Sequence, residues 1–218
     1  MLSFFFLFFI YFFKRLKGFD LVAPYYDQLA GLVYGKSIRR AQTIHLDRIP
    51  PKAKILVIGG GTGWWLKQFI GKRADCHIWY VDPSEKMLRQ AMAYAAGCGR
   101  VVFIHGNEEC IPAMEFDVVV TYFFLDMFGE EALRQMVVQL KGTLTPGGIW
   151  IVSDFVDDRF WHRILLFLMY RFFKAIGAVE NTRLANWKMA LLNQQLECKE
   201  QKFFYGKFIL SGIYRKVG

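Results

Sequence analysis

Cysteine and histidine are scarce in this 218-residue chain, four of each, and their placement excludes more than it suggests. Cys76, Cys98, Cys110 and Cys198 are scattered, with no CxxC and no Cys/His pair at ligand spacing. Neither a zinc site nor a disulfide framework is signalled, no metal is expected, and reduced thiols suit a cytosolic setting. Carboxylates are also short: 19 Asp and Glu against 28 Lys and Arg leave a net charge of +9. That balance suits an anionic partner, whether a lipid surface, nucleic acid or a phosphorylated substrate, without choosing among them. The sequence has no internal repeat and no low-complexity linker.

The Phe-rich start MLSFFFLFFIYFF falls short of the about 20 apolar residues a membrane span needs. It also lacks the leading charge and small-residue cleavage site of a secretory signal, since its cations Lys14, Arg15 and Lys17 come after the run. Two readings stand: an interfacial anchor with Phe in the acyl boundary and cations at the headgroups, or a leader outside the folded domain. Residues 1–18 are therefore set apart as a leader and 19–218 as one domain, long enough for a single core. The expected location is cytoplasmic, with peripheral contact at the cytoplasmic face of the membrane.

The chain is 54% hydrophobic and 17% aromatic, which excludes disorder. KILVIGG, HIWYVD, RVVFIHG, FDVVVTYF and GIWIVSD are Val/Ile/aromatic runs bounded by Gly, Pro or Asp, as buried strands are. Helical patterns separate them: TGWWLKQFIG, PSEKMLRQAMAYAAG, and GEEALRQMVVQLKGTL, the last stopped by Pro146-Gly147. This alternation predicts a mostly parallel sheet with helices on both faces. Ahead of it, residues 19–47 read as two helical pieces ended by Pro50-Pro51, and after it come a long helix, a second helix and a hairpin around Gly206.

The stretch VIGGGTGWW, residues 57–65, runs from the first strand through a bare turn into a helix, an arrangement that gathers main-chain N–H groups at the carboxyl edge of a sheet. It is not a P-loop, which needs GxxxxGK before Ser or Thr. Nor is it a dinucleotide fingerprint, because Trp64 stands where the third glycine belongs. It carries Gly59-x-Gly61-x-Gly63, and Asp82 ends the second strand nineteen residues after Gly63.

With HGNEECIP after the third strand and LKGTLTPGGIWIVSDF leading through the fifth, this pattern resembles the class I S-adenosylmethionine-dependent methyltransferases. The APYYDQLAGLVYG segment makes it most similar to those of quinone and small-lipid biosynthesis. The resemblance implies a three-layer Rossmann-like fold, a seven-stranded mostly parallel sheet with a C-terminal antiparallel hairpin, and S-adenosylmethionine as cofactor. It also implies cofactor contacts from Gly59, Gly60, Gly61, Thr62, Gly63, Asp82 and Pro83. Asn107 and Glu108 are expected at the adenine, Thr121 beside the methionine portion, and Tyr26 with Asp27 closing the pocket. Val57 departs from the family, standing where many members place an acid.

For the acceptor chemistry, Asp126, Tyr122, Asp154, His162 and His45 are the groups that could take a proton. Asp126, with Tyr122, is the favoured catalytic pair because both follow the fourth strand. Capping of the next helix is the alternative role for Asp126. Trp64 and Trp65 read as helix-face packing rather than cofactor stacking. The long helix sets Arg159, Arg163 and Lys174 on one stripe with a wide apolar arc around the rest, so it can roof a hydrophobic pocket, lie in a membrane interface, or pack within the domain. The functional expectation is methyl transfer to a small hydrophobic acceptor, with an RNA methyltransferase or a non-catalytic, membrane-associated cofactor-binding module as the alternatives. Nucleic acid is disfavoured because most aromatics sit in apolar runs rather than among cations.

Overall fold

A computed structural model of the chain describes residues 26–175, 177 and 183–217. The leader 1–18 and the first half of the first helical piece lie outside the described residues. The described chain builds seven strands, β1 (Lys54–Ile58), β2 (His77–Asp82), β3 (Val101–His105), β4 (Phe116–Tyr122), β5 (Leu144–Phe155), β6 (Leu196–Phe204) and β7 (Ile209–Lys216). They form one sheet in the order β3-β2-β1-β4-β5-β7-β6. The first five pair in parallel, while β7 runs antiparallel to β5 and β6 antiparallel to β7.

Helices α1 (Tyr26–Tyr34) and α2 (Ser37–Thr43) precede the sheet, and α3 (Trp64–Ile70), α4 (Glu85–Tyr94) and α5 (Glu130–Gly142) connect its strands. Helices α6 (Phe160–Ala175) and α7 (Trp187–Asn193) lead into the hairpin. Strand side chains alternate between faces, and the core divides accordingly. Ile55 and Val57 pack with Trp65, Leu66 and Phe69 of α3 and with Leu88 and Ala91 of α4. Leu56 and Ile58 pack on the other face with Leu133, Met136, Val137 and Leu140 of α5 and with Trp187 and Leu191 of α7. The result is three layers, with β1 at the centre buried from both sides.

One boundary differs from the reading of Pro146-Gly147 as a helix stop. Helix α5 ends at Gly142, and the Pro-Gly-Gly turn falls inside β5. Phe116 pairs with Leu144 but Val118 pairs with Ile149, so residues 145–148 bulge out of the ladder. Gly148 allows this: a Cβ there would lie 2.9 Å from the Thr145 carbonyl oxygen and 3.2 Å from that of Asp117. Among the described residues no helix is long and apolar enough to cross a membrane.

Candidate functional site

The carboxyl ends of β1, β2 and β4 open into a cleft, closed on its far side by α1 and α2. Its volume, including the open mouth, is about 930 Å³. Gly59, Gly60, Gly61, Thr62, Asp82, Pro83, Asp27, Trp64, Trp65, Tyr122, Phe123 and Met127 are among its lining residues.

The glycines of the loop do different jobs. A Cβ on Gly60 would lie 2.1 Å from the Tyr80 ring, and one on Gly59 would lie 2.3 Å from Phe124. Gly63, at φ +84°, leaves room for α4: a Cβ there would sit 2.6 Å from the Ala91 Cα. Gly61 differs from all three, since at φ +63° its Cβ would meet nothing within 4 Å. Its main chain therefore faces the open cleft, the property a ligand pressed against peptide groups requires.

Two buried side chains hold this loop. Asp82 is 6% exposed, and its carboxylate accepts from the Gly61 N–H at 2.7 Å and from the Ser84 N–H at 2.8 Å. The carboxylate is thereby fixed in the cleft wall, while the capping of α4 falls to Ser84, whose Oγ accepts from the Met87 N–H at 3.2 Å. From beneath, the Tyr80 hydroxyl donates to the Gly60 carbonyl and, at 3.2 Å, to that of Gly61. Complete burial raises the Tyr80 pKa well above its ordinary value, so the hydroxyl stays a donor. Tyr80 was not legible as a site residue: in the sequence it is one aromatic in the run HIWYVD, and only pairing of β2 beside β1 brings it under the loop.

Helix α1 reaches the loop as well. The Thr62 hydroxyl donates to both Asp27 oxygens, at 2.9 and 3.1 Å. This bond fixes a second carboxylate at the cleft, on the side where the sheet offers none. Val57, at the position of the expected acid, is 3% exposed and packed in the apolar layer. Tyr26 begins α1 one residue earlier. Trp65 stacks on Phe69 at 5.0 Å and lies 5.8 Å from Tyr122, while the Arg39 guanidinium sits 5.2 Å from the Trp64 ring. The two indoles form a wall of the cleft and leave it open.

Other expected residues are placed elsewhere. Thr121 is wholly buried and accepts from Trp150 Nε1 at 2.9 Å, turned into the sheet rather than toward the cleft. Asn107 and Glu108 follow β3 beside Asp82: the Gly106 N–H donates to the Asp82 carbonyl at 3.1 Å, and Asn107 Oδ1 accepts from the Glu109 N–H at 3.2 Å. They stand at the same sheet edge but outside the cleft lining. Tyr122 does line the cleft, and burial raises its pKa, so it presents a protonated hydroxyl.

Asp126, the favoured proton acceptor, does not line the cleft. It is 6% exposed in the short 3₁₀ turn Leu125–Met127, with its Oδ1 lacking a hydrogen-bond partner, and burial pushes its pKa up to about 7. Asp154 lies under the same turn and accepts at Oδ2 from the N–H groups of Phe124, Leu125 and Asp126 at 3.3, 2.9 and 3.3 Å. Burial, then the charge of Asp126, raises the Asp154 pKa strongly. Asp154 thus braces the turn after β4, on which the Asp126 carboxyl is carried buried. His162 is buried with a ring nitrogen 3.4 Å from the Gly206 carbonyl, and His45 is 1% exposed with a ring nitrogen 4.0 Å from Glu200; burial lowers both pKa values. Among the described residues no group of three or more His, Cys, Asp or Glu is placed to hold a metal.

A glycine turn at the switch between β1 and β4, with an acid closing β2, defines a cofactor-binding α/β domain of the doubly wound class. Comparison with known proteins narrows it. The methyltransferase domain family matches residues 55–148. The chain is 30% identical over 154 residues to the ubiquinone/menaquinone biosynthesis C-methyltransferase UbiE of Ectopseudomonas mendocina, covering 65% of this chain and 58% of that protein. It is 31% identical over 116 residues to the malonyl-[acyl-carrier protein] O-methyltransferase of Halalkalibacterium halodurans, covering 51% of this chain and 42% of that one. In both, the chain spans less than two thirds of the relative.

Among solved structures, the N-methyltransferase NodS of Bradyrhizobium japonicum in complex with S-adenosyl-l-homocysteine superposes with a TM-score of 0.62 at 13% identity, over 82% of this chain and 85% of that one. The putative methyltransferase in complex with the Haloferax volcanii activator Trm112 gives 0.72 at 15% identity, over 93% and 99%. These likenesses give the chain the fold of the methyltransferases and, over residues 55–148, similarity to the methyltransferase domain family.

Proposed function

We propose that this chain transfers the methyl group of S-adenosylmethionine to a small hydrophobic acceptor, quinone-like or lipid-like, held in the cleft beside the glycine loop. The observation that carries this reading is the shared wall: side-chain-free main chain at Gly61 and fixed carboxylates at Asp82 and Asp27, facing a lining of Ile38, Trp64, Trp65, Tyr122, Phe123 and Met127. When bound, the sulfonium supplies an activated methyl: its S–C pair stays on sulfur as a neutral thioether while an acceptor lone pair or carbanion forms the new bond to carbon. The chain's own part is to bind, align and exclude water. Asp82 suits two adjacent sugar hydroxyls, because a carboxylate accepts more than one hydrogen bond. Asp27 suits the donor's ammonium, the role Val57 cannot take.

With both cleft carboxylates tied to the loop and Asp126 buried, rate enhancement is assigned to proximity and alignment, which can supply about 7–11 kcal/mol in well-oriented systems. The acceptor class rests on the aromatic and aliphatic lining, and on likeness to proteins named for ubiquinone/menaquinone biosynthesis and malonyl-acyl-carrier O-methylation. The test is transfer of label from S-adenosyl-[methyl-³H]methionine into quinol and lipid extracts, with RNA alongside. Label in the organic phase is expected. Label in RNA, or donor binding with transfer into neither, would overturn the proposal.

A further inference from the structure

Helix α6 presents a surface that the cleft does not explain. Its inner side, with Leu166, Met169 and Tyr170, joins Phe155, Phe208 and Ile209 in a third apolar cluster. On the outer side Phe160, Ile164 and Phe167 stand 78%, 46% and 59% exposed, at spacings that place them one above another. Arg171 continues the row one turn on, its guanidinium 5.9 Å from the Phe167 ring. Arg159, Arg163 and Lys174 border it, and the helix itself contains no Asp or Glu. Asp157 and Asp158 lie ahead of the helix, and Asp158 is engaged by Lys188 at 3.2 Å. Among the described residues none of the four cations forms an ion pair. The neighbouring α1, joined to α6 by the Tyr34 hydroxyl at 3.7 Å from Met169 Sδ, leaves Leu32 and Val33 65% and 46% exposed.

A surface that is apolar along its crest, cationic along one flank and capped by Arg171 at the end of the crest calls for a partner apolar inside and anionic at its boundary. A second copy of α6 would bring like charges together. Nucleic acid would answer the cations and leave the aliphatic Ile164 hydrated. An anionic bilayer interface satisfies both needs. We infer that the outer face of α6 docks on anionic lipid surfaces, with Phe160, Ile164 and Phe167 in the acyl boundary and Arg159, Arg163, Arg171 and Lys174 at the headgroups. None of these residues lines the cleft, so the inference stands independently of the methyl-transfer proposal.

The experiment is co-sedimentation of the full chain with vesicles of phosphatidylglycerol and phosphatidylcholine, against phosphatidylcholine alone, for wild type, Phe160→Asp/Phe167→Asp and Arg163→Gln/Arg171→Gln. Wild type is expected to partition preferentially onto the anionic vesicles. The Gln pair should lose about fivefold per cation, and the Asp pair should lose more. Thermal unfolding and S-adenosylmethionine binding should be unchanged in both, which separates docking from folding and from the cleft. Wild-type partitioning in both variants would overturn the inference and leave any binding to residues outside this face. Equal binding of wild type to both vesicle types would overturn it too. So would sedimentation velocity showing a wild-type dimer that the Asp pair dissolves without vesicle binding, or RNA binding lost in the variants while vesicle binding persists.

Discussion

Replacing Gly61 and Gly63 with alanine, one at a time, separates ligand contact from folding within a single loop. Both residues have positive φ, +63° and +84°, so each alanine costs about 1–2 kcal/mol for entering the left-handed region. At Gly61 that is the whole structural cost, because the new methyl meets nothing within 4 Å. At Gly63 the methyl would stand 2.6 Å from the Ala91 Cα, a backbone contact that cannot swing aside, and overpacking adds about 1–3 kcal/mol as α4 is pushed away. For a chain of this size about 1 kcal/mol moves Tm by about 2–4 °C. Gly61→Ala should therefore melt a few degrees below wild type, and Gly63→Ala clearly lower.

Affinity should follow the opposite order. A methyl on Gly61 points into the cleft and holds the ligand off the peptide groups. Titration calorimetry with S-adenosylmethionine should show a loss of about tenfold or more, equivalent to about 1.4 kcal/mol, in a protein that remains folded. Undiminished affinity in a folded Gly61→Ala variant would refute the assignment of this main chain to the ligand.

Asp82→Asn keeps the shape but gives up the charge and one acceptor. With charge-assisted bonds contributing about 1.5–3 kcal/mol each, donor affinity by calorimetry should fall by about a hundredfold, with a smaller loss of Tm. Tyr80→Phe removes the donor beneath Gly60 and Gly61, and should lower stability by about 1 kcal/mol in urea melts and weaken donor binding, whereas Tyr122→Phe should leave the loop's stability alone. The Asp126/Asp154 pair sets a pH dependence: with the folded pKa of Asp126 raised from 3.8 to about 7, the folded state holds more protons than the unfolded one across that interval. Its contribution is full below about pH 4 and declines as pH rises toward 7, by at most about 1.4 kcal/mol per pH unit for one proton. Asp126→Asn should make the chain relatively more stable at pH 8 than at pH 4 when compared with wild type in urea melts, and an unchanged difference would show that the carboxyl is not protonated there.

The sheet was legible because each parallel strand is a short apolar run closed by Gly, Pro or Asp, and burial from both faces demands that composition. Pro146-Gly147-Gly148 misled because local turn chemistry is the same whether it ends a helix or bulges a strand; the pairing of Phe116 with Leu144 decides, and that is a contact between segments far apart in the chain. At the site, the glycine turn and the acid ending the second strand stood out in the sequence, the resemblance gave Gly61 and Asp82 their expected role, and both line the cleft. Thr121, Asn107 and Glu108 could be placed at the right sheet edge, but strand alternation and loop path then turned them from the cleft. Asp126 sits on the expected loop, and its burial against Asp154 depends on a 3₁₀ turn folding over β5. Tyr80 and the Thr62–Asp27 bond were invisible, being products of packing across elements. The wheel of α6 likewise showed an apolar arc with basic edges, and only the position of β7 and its hairpin determined which part of that arc is exposed.

In the proposed function, bare main chain at Gly61 and the carboxylate of Asp82 together receive the nucleoside end of a methyl donor. A crystal structure of the chain with S-adenosylhomocysteine would test that pairing without any intervening assumption. One molecule per chain is expected in the cleft, its ribose hydroxyls on Asp82 and its amino-acid end toward Asp27. A ligand seated elsewhere, or density in the cleft with the ribose turned away from Asp82, would show that the loop and its acid do not serve the donor.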